Sequence, residues 1–300
     1  MDELLVNLNT ILQEKEEKIL PKNIKKDIEI FGVIGTLEGK SGSEYNATLK
    51  SPTNRTSFEA RYWLSEIDVL DLAGVTSLQG SFKSCSGLTK ISNILNSSGV
   101  NTLYETFTGC SSLTSLSDFD TSNVTNMSQT FWNCKALIKA PSLNTSKVTS
   151  MYQMFCLCSS LTSVPELNTS NVTNMTQAFS GCTALTTLPN FNATKLNTVH
   201  QTFYNCKALT TFGGFTNLGM AYTQKTANYG NYKLDLSAST QLTHDSLMNV
   251  INGLYDLNLT YNVAGGGTLY TQQLVLGAHN MTKLTADEIA IATNKGWSVS

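Results

Sequence analysis

Between Val100 and Phe215 the hydrophobic positions recur with a fixed step. One unit reads Val124, Met127, Phe131, Cys134, Leu137, Ala140, Leu143, and after a short polar linker Val148 restarts the series. Val148, Met151, Phe155, Cys158, Leu161, Val164 and Leu167 follow, then Val172, Met175, Phe179, Cys182, Leu185, Leu188 and Phe191. The Phe-x-x-Cys anchor returns at an equal interval at Phe107, Phe131, Phe155, Phe179 and Phe203. One further copy, Phe82 to Cys85, stands upstream of Phe107 at an interval longer by a single position. The first four apolar positions of each unit have the spacing of one face of a short helix. The Leu-x-x-Leu remainder suits a tight extended segment and its turns. Seven inward positions cannot close a core alone, so neighbouring coils must stack. The pattern predicts an α/β solenoid, leucine-rich-repeat-like, with coils of about 24 residues. Each coil would hold a short strand and a short helix, every residue type lying over its own copy.

The polar segments between the apolar sets are Asp120-Thr-Ser-Asn, Asn144-Thr-Ser-Lys, Asn168-Thr-Ser-Asn and Asn192-Ala-Thr-Lys. Short Ser, Thr and Asn side chains bond nearby backbone and hold turns. The Ser or Asn before each Val is expected to start the helical turn. Outside the repeats, residues 2–19 read as an amphipathic helix with Leu5, Leu8, Leu12 and Ile19 on one side, stopped by Pro21. The alternation of Ile28 and Ile30 reads as a strand, with Gly32 and Gly35 as turn points. Residues 40–57 read as a linker or a loose pair of strands, and Phe58 to Leu72 as a strand capping the open end of the solenoid. Beyond Phe215 the expectation is a loop at 219–232, strands at Leu234–Leu236 and Leu274–Leu276, and a helix over Thr243–Leu254. A capping box at Thr285–Glu288 would open a last helix, flanked by a staple of Leu284 and Ile289. Gly296 would end that helix and Trp297 cover it. Four regions result: 1–42, an attachment or oligomerisation module; 43–74, linker and cap; 75–215, the solenoid; 216–300, degenerate repeats and a closing cap.

Charge narrows the function. Only 14% of residues are charged, against about 25% in ordinary globular domains. The deficit is local, since residues 101–220 hold nine charges and residues 1–50 hold sixteen. With a net charge of −2 no basic footprint for nucleic acid exists. Nothing approaches the ~20 apolar residues of a membrane span, so no membrane insertion is expected. The N-terminus does not read as a secretion signal, because Asp2 and Glu3 precede an amphipathic stretch. Six of the seven cysteines are repeat positions: Cys85, Cys110, Cys134, Cys158, Cys182 and Cys206, with Cys156 apart. They are expected to be free, buried thiols. Their spacing matches no zinc motif, and no metal or cofactor is expected.

No catalytic constellation is visible. His200, His244 and His279 sit in separate units without a Ser, Cys or carboxylate motif beside them, and Asp118, Asp120 and Glu166 read as isolated and exposed. A glycan hydrolase would need paired acids on one cleft, and the sequence offers no repeat-linked pair. Two outer positions do vary from unit to unit. One runs Gln79, Tyr104, Ser128, Tyr152, Thr176, His200; the other runs Lys83, Thr108, Trp132, Cys156, Ser180, Tyr204. Tyr104, Trp132, Tyr152, His200 and Tyr204 are therefore the candidate binding face, as stacked exposed aromatics that could meet a glycan or protein.

Two resemblances extend this reading. The run ILPKNIKKDIEIFGVIGTLEGK, within residues 11–40, is similar to an N-terminal segment of tail and other virion proteins in phages of Gram-positive bacteria. It implies that this module docks to other virion proteins, with Leu5, Leu8, Leu12, Ile28, Ile30 and Phe31 as docking residues. The segments NVTNMSQTFWNCKAL (123–137) and NVTNMTQAFSGCTALTTLP (171–189) resemble the BspA-like leucine-rich-repeat family of surface proteins and adhesins. That likeness implies binding, not catalysis, and names no ligand residues. Together they imply a virion-mounted, tail- or baseplate-associated protein, in multiple copies per particle, that binds a host cell-surface protein or glycan. A structural decoration protein or a bacterial surface adhesin is the alternative.

Overall fold

The computed structural model describes the backbone of residues 29–30, 33–34, 38–39 and 44–48, residues 58, 60 and 62, and the ranges 64–221, 233–258 and 272–300. The helix expected over residues 2–19, with Leu5, Leu8 and Leu12, lies outside the described residues, as do Ile28 and Phe31. Of the docking set only the backbone of Ile30 is described, in strand β1.

The repeats form one continuous stack of equal coils. Seven phenylalanines make a single column: Phe58, Phe82, Phe107, Phe131, Phe155, Phe179 and Phe203. Successive ring centroids lie 5.2, 5.3, 5.5, 5.4, 5.7 and 6.0 Å apart, and no pair is tilted by more than 12°. Inward columns of the repeat are buried with it, as Val124, Met127, Cys134, Leu137 and Leu143 illustrate for one coil. Phe58 belongs to this column, and the Cys85 thiol donates to its carbonyl. The stretch expected to cap the solenoid thus supplies a further coil.

No α-helix lies between residues 64 and 221. The half-coil expected to be helical is a run of turns, and the cause is visible in the backbone. Two residues per coil are left-handed: Glu105 and Gly109, Gln129 and Asn133, Gln153 and Leu157, Gln177 and Gly181, Gln201 and Asn205, with φ between 52° and 78°. A left-handed residue turns its peptide away from the helical direction. Alternate N–H groups then leave the coil. Leu103, Glu105, Phe107 and Gly109 donate to the carbonyls of Asn126, Ser128, Thr130 and Trp132 in the next coil. The N–H groups between them, of Thr106, Thr108 and Cys110, close four-residue turns onto the carbonyls of Leu103, Glu105 and Phe107. A helix would satisfy its donors internally and leave nothing to join one coil to the next. This arrangement satisfies them too and splits them between holding the turn and joining the stack. The 3-4 spacing of inward residues is common to both geometries.

The polar linkers form Asx turns, not helix starts. The carboxylate or amide oxygen of Asp120, Asn144, Asn168 and Asn192 accepts from the N–H two residues on. The Ser122 hydroxyl and N–H hold Asp120 below its ordinary carboxylate range. Behind them Thr121, Thr145 and Thr169 are buried and donate across to Asn144, Asn168 and Asn192.

The extended side of the stack is a parallel sheet where strands are long enough. β3 (Glu38–Gly39), β4 (Glu44–Thr48), β5 (Glu66–Asp71), β6 (Lys90–Leu95) and β7 (Ser115–Leu116) lie in that order, with β4 parallel to β5 and β3 antiparallel to β4. The sheet therefore crosses the boundary expected near residue 42. Ahead of it, β1 (Glu29–Ile30) and β2 (Val33–Ile34) form an antiparallel pair. Further along, the sheet thins to parallel bridges such as Lys139 to Ser163 and Ser163 to Thr187. It thickens again in β8 (Thr187–Leu188), β9 (Phe191–Asn192), β10 (Thr211–Phe212) and β11 (Phe215–Thr216).

Longer units close the far end. β12 (Lys233–Asp235) starts a parallel sheet, followed by α1 (His244–Asn252), β13 (Gln272–Val275), α2 (Gly277–Met281), α3 (Ala286–Asn294) and β14 (Trp297–Val299). Thr243 caps α1, and Thr285 with Glu288 forms the capping box of α3. Trp297 does more than cover a helix end: it opens β14 and its indole N–H donates to the Tyr255 carbonyl. Lys295 Nζ reaches the Asn252 carbonyl at 2.8 Å, a cation at the C-terminus of α1. Gly253 is required there, because a Cβ would meet the Phe215 carbonyl oxygen.

Candidate functional site

The five candidate face residues fall in two outer columns. Three positions before each Phe stand Tyr104, Ser128, Tyr152, Thr176 and His200; one position after each Phe stand Thr108, Trp132, Cys156, Ser180 and Tyr204. Tyr104, Tyr152 and Trp132 are half-buried, His200 is exposed, and Tyr204 is 61% exposed. The structure places them on the repeat but does not stack them. In the first column one hydroxyl residue separates successive aromatics, in the second Cys156 and Ser180 both stand between Trp132 and Tyr204, and the stacked column from Phe58 to Phe203 is made of core phenylalanines. The expectation of stacked exposed aromatics is corrected on that ground: residues two coils apart are about 10 Å apart, beyond ring contact.

Beside the first column runs a ladder of amides. Gln129 Nε2 donates to Gln153 Oε1 at 2.8 Å, Gln153 to Gln177 at 2.6 Å and Gln177 to Gln201 at 2.8 Å. One coil earlier the same position is Glu105, which pairs with Lys83 at 2.8 Å. The signal was in the sequence as four identical Gln residues, one per repeat. Such side-chain bonds hold the outer edge of the coils in register and leave a neutral amide strip along it.

Leu157 interrupts the pattern. It occupies a left-handed position, φ 64°, that is glycine or asparagine in four other coils, and it is 42% exposed. Its Cδ2 lies 2.8 Å from where a Cβ on Gly181 would stand, so a side chain at 181 would push the exposed end of Leu157 aside.

The acidic residues are less isolated than the sequence suggested. Asp118, Ser142 and Glu166 share one column, so Asp118 and Glu166 sit two coils apart. They line an open cleft of about 660 Å³ with Phe119, Leu143, Asn144 and Pro165. One Asp118 oxygen accepts from the Ser142 N–H at 2.7 Å. Both carboxylates are exposed to solvent at the edge of this cleft. The pair was legible only once positions two repeats apart were known to be neighbours but one. His244 likewise has partners: its ring nitrogens contact Glu288 at 2.8 Å and Asp245 at 3.4 Å. This contact ties the start of α1 to the capping box of α3, and the Glu288 hydrogen bond raises the His244 pKa above 6.5.

None of the seven cysteines is in a disulfide, and the six of the ladder are fully buried. Each thiol of the column donates to the Phe carbonyl one coil back, as Cys134 does to Phe107 at 3.1 Å. Burial pushes Cys110, Cys134, Cys158 and Cys182 well up, and Cys206 to about 12. Among the described residues no group of three His, Cys, Asp or Glu could hold a metal ion, and no helix is long and apolar enough to cross a membrane.

A family described as "Mycoplasma protein of unknown function, DUF285" matches residues 53–161 and, in a second overlapping copy, 138–213. Together the matches cover more than half of the chain. The chain belongs to this family. DUF285 repeats thus begin near residue 53, consistent with Phe58 heading the column. Among solved structures, the leucine-rich-repeat protein of T. pallidum is similar at 15% identity. The match covers 70% of this chain and 84% of that one, with a TM-score of 0.41. No curated protein matches. The chain is a DUF285 repeat protein whose equal coils stack as a solenoid.

Proposed function

We propose that this DUF285 chain is a non-catalytic binding module, mounted on a phage particle, that attaches to a host-surface component. One observation carries the reading. The inward columns keep their residue type from coil to coil, while the outward columns change: Tyr104, Ser128, Tyr152, Thr176, His200 and Thr108, Trp132, Cys156, Ser180, Tyr204. Packing explains the first set; in the second, Tyr104, Trp132, Tyr152, Thr176, His200 and Tyr204 reach solvent, while Thr108, Ser128, Cys156 and Ser180 are buried between them. The surface is neutral, made of hydroxyls, amides and aromatic rings, so affinity comes from many weak contacts. Arrayed copies would multiply it. The mounting rests on the sequence of residues 11–40 and its likeness to virion attachment segments. A bacterial surface adhesin is the second reading, favoured by membership of a family described from Mycoplasma.

Two experiments separate these. Deleting residues 1–40 should leave a folded solenoid that no longer joins virions; incorporation of the truncated chain refutes the docking role. The full chain, incubated with host cells, should be retained on their surface, and loss of retention in a Tyr104→Ala, Tyr152→Ala double variant would locate the face. Equal retention by that variant would place binding elsewhere.

A further inference from the structure

From Thr102 onward the coils alternate in two kinds, so the outer face repeats only every second coil. In coils of one kind a Ser or Thr hydroxyl accepts the backbone N–H of an aromatic residue: Thr102 for Tyr104, Ser150 for Tyr152, Thr198 for His200. In coils of the other kind an Asn side chain accepts the N–H of a small hydroxyl residue: Asn126 for Ser128, Asn174 for Thr176. The two kinds are joined in pairs. Ser128 bonds Ser150 at 2.7 Å and Thr176 bonds Thr198 at 3.0 Å. A separate column keeps the same rhythm, with Lys147 Nζ on Asn123 and Lys195 Nζ on Asn171. Core packing repeats with every single coil and gives no reason for a doubled period.

The consequence is an aromatic ring at every second coil of the column: Tyr104 and Tyr152, half-buried, and His200, exposed, with buried Ser128 and half-buried Thr176 between them. With parallel chains about 4.8 Å apart, the aromatics recur at about 10 Å. Beside them runs the neutral strip of Gln amides. No Lys, Arg, Asp or Glu belongs to the column itself, so a polyanion finds no fixed counterion along it.

We propose that this column is a binding track for a β-1,4-linked polysaccharide ribbon, read one disaccharide per two coils. In such a ribbon successive sugars are flipped, so one face returns with every second sugar, at a spacing of the same order as the aromatics. Each ring would cover the apolar C–H face of alternate sugars, and hydroxyls and amides between the rings would bond the ring oxygens and hydroxyls. The proposal rests on the binding-module reading above and names its ligand. From Tyr104 to His200 the track is about 19 Å long, room for two such repeats.

The test uses the full chain and titration calorimetry with cello- and chito-oligosaccharides of two to six sugars, and with maltohexaose as the α-linked control. The expected result is affinity that rises in steps of two sugars for the β-1,4 series, with none for maltohexaose. Tyr152→Ser, which installs the residue already found at position 128, should weaken hexasaccharide binding roughly tenfold, the scale of losing one anchor. Tyr152→Ser combined with Thr176→Tyr keeps the aromatic count and breaks the spacing; it should bind no better than the single variant. Circular dichroism checks the fold of each. Binding restored by the double variant, or equal binding of maltohexaose, overturns the spacing argument. Failure to bind any oligosaccharide by a chain that still adheres to host cells overturns the polysaccharide and leaves the binding-module reading standing. Failure of both removes both.

Discussion

Removing one ring from the middle of the phenylalanine column tests how the stack is held. Phe155 is fully buried and lies between Phe131 at 5.4 Å and Phe179 at 5.7 Å. Phe155→Ala deletes the ring, leaves a cavity between two coils, and breaks two stacked pairs. Truncating a buried Phe costs about 3–5 kcal/mol, and the rings on either side lose their neighbours as well. In a stack where each coil contacts only its neighbours, stability is a sum over coils and interfaces. A central lesion therefore weakens two interfaces. Among the described residues Phe58, at the column's head, stacks on Phe82 alone. Phe58→Ala should accordingly cost less, by about the energy of one interface. The assay is urea unfolding followed by fluorescence in chains that keep a single tryptophan, Trp132 within the coils or Trp297 in the closing unit, with Trp63 and the other replaced by Phe. Phe155→Ala should lower the midpoint of the Trp132 transition strongly and that of Trp297 less. A loss below about 1 kcal/mol, or equal losses at Phe58 and Phe155, would refute the reasoning.

Other expectations follow from single residues. Leu157→Asn removes a bulky side chain from a left-handed position that tolerates Asn at 133 and 205. It should stabilise by about 1 kcal/mol and raise the thermal midpoint; a fall would mean that the exposed Leu157 side chain packs better than its φ suggests. The His244–Glu288 contact should make the closing unit sensitive to pH. His244 is raised by its bond to Glu288, so its contribution is full below 6.5 and fades as pH climbs through the folded value. Glu288 is lowered by the Thr285 N–H and by His244, so its contribution holds above 4.5 and fades as pH falls through the folded value. The contact is therefore strongest between those limits, and the wild-type advantage over His244→Gln should shrink from pH 6 to pH 8.5. An advantage constant across that range would deny the ion pair. Finally, the seven thiols should resist an aromatic disulfide reagent in the native state and react together on unfolding, since all seven are buried. Rapid labelling of any ladder cysteine without denaturant would contradict the burial.

The inward columns were legible in the sequence because burial is unforgiving: Phe, Cys and Leu return at a fixed step, and that step alone requires stacking. Thr243 as a cap and the Thr285–Glu288 box were legible because capping is local chemistry. The turn half of each coil was not, since helix and turn ladder put the same residues inward. The distinguishing mark is a left-handed residue two before and two after each Phe. Gly109, Asn133, Gly181 and Asn205 advertised the second, but Gln129, Gln153, Gln177 and Gln201 are not residues that signal the first. Phe58 was missed as a column member because Arg61 stands where the other coils have Cys. The cleft of Asp118 and Glu166 and the doubled period of the outer face depend on which coils are neighbours, which no local pattern states.

Excising one whole coil tests the stacking of equal units most directly. Deleting residues 148–171 removes a single repeat and joins Lys147 to Val172, restoring the linker-to-Val junction of the other coils. Followed by circular dichroism and a melting curve, this chain should fold cooperatively with a modest drop in midpoint, Phe131 now stacking on Phe179. Deletion of residues 148–159, half a coil, should abolish the transition. If the two deletions destabilise the chain alike, the coils are not interchangeable layers and the account fails.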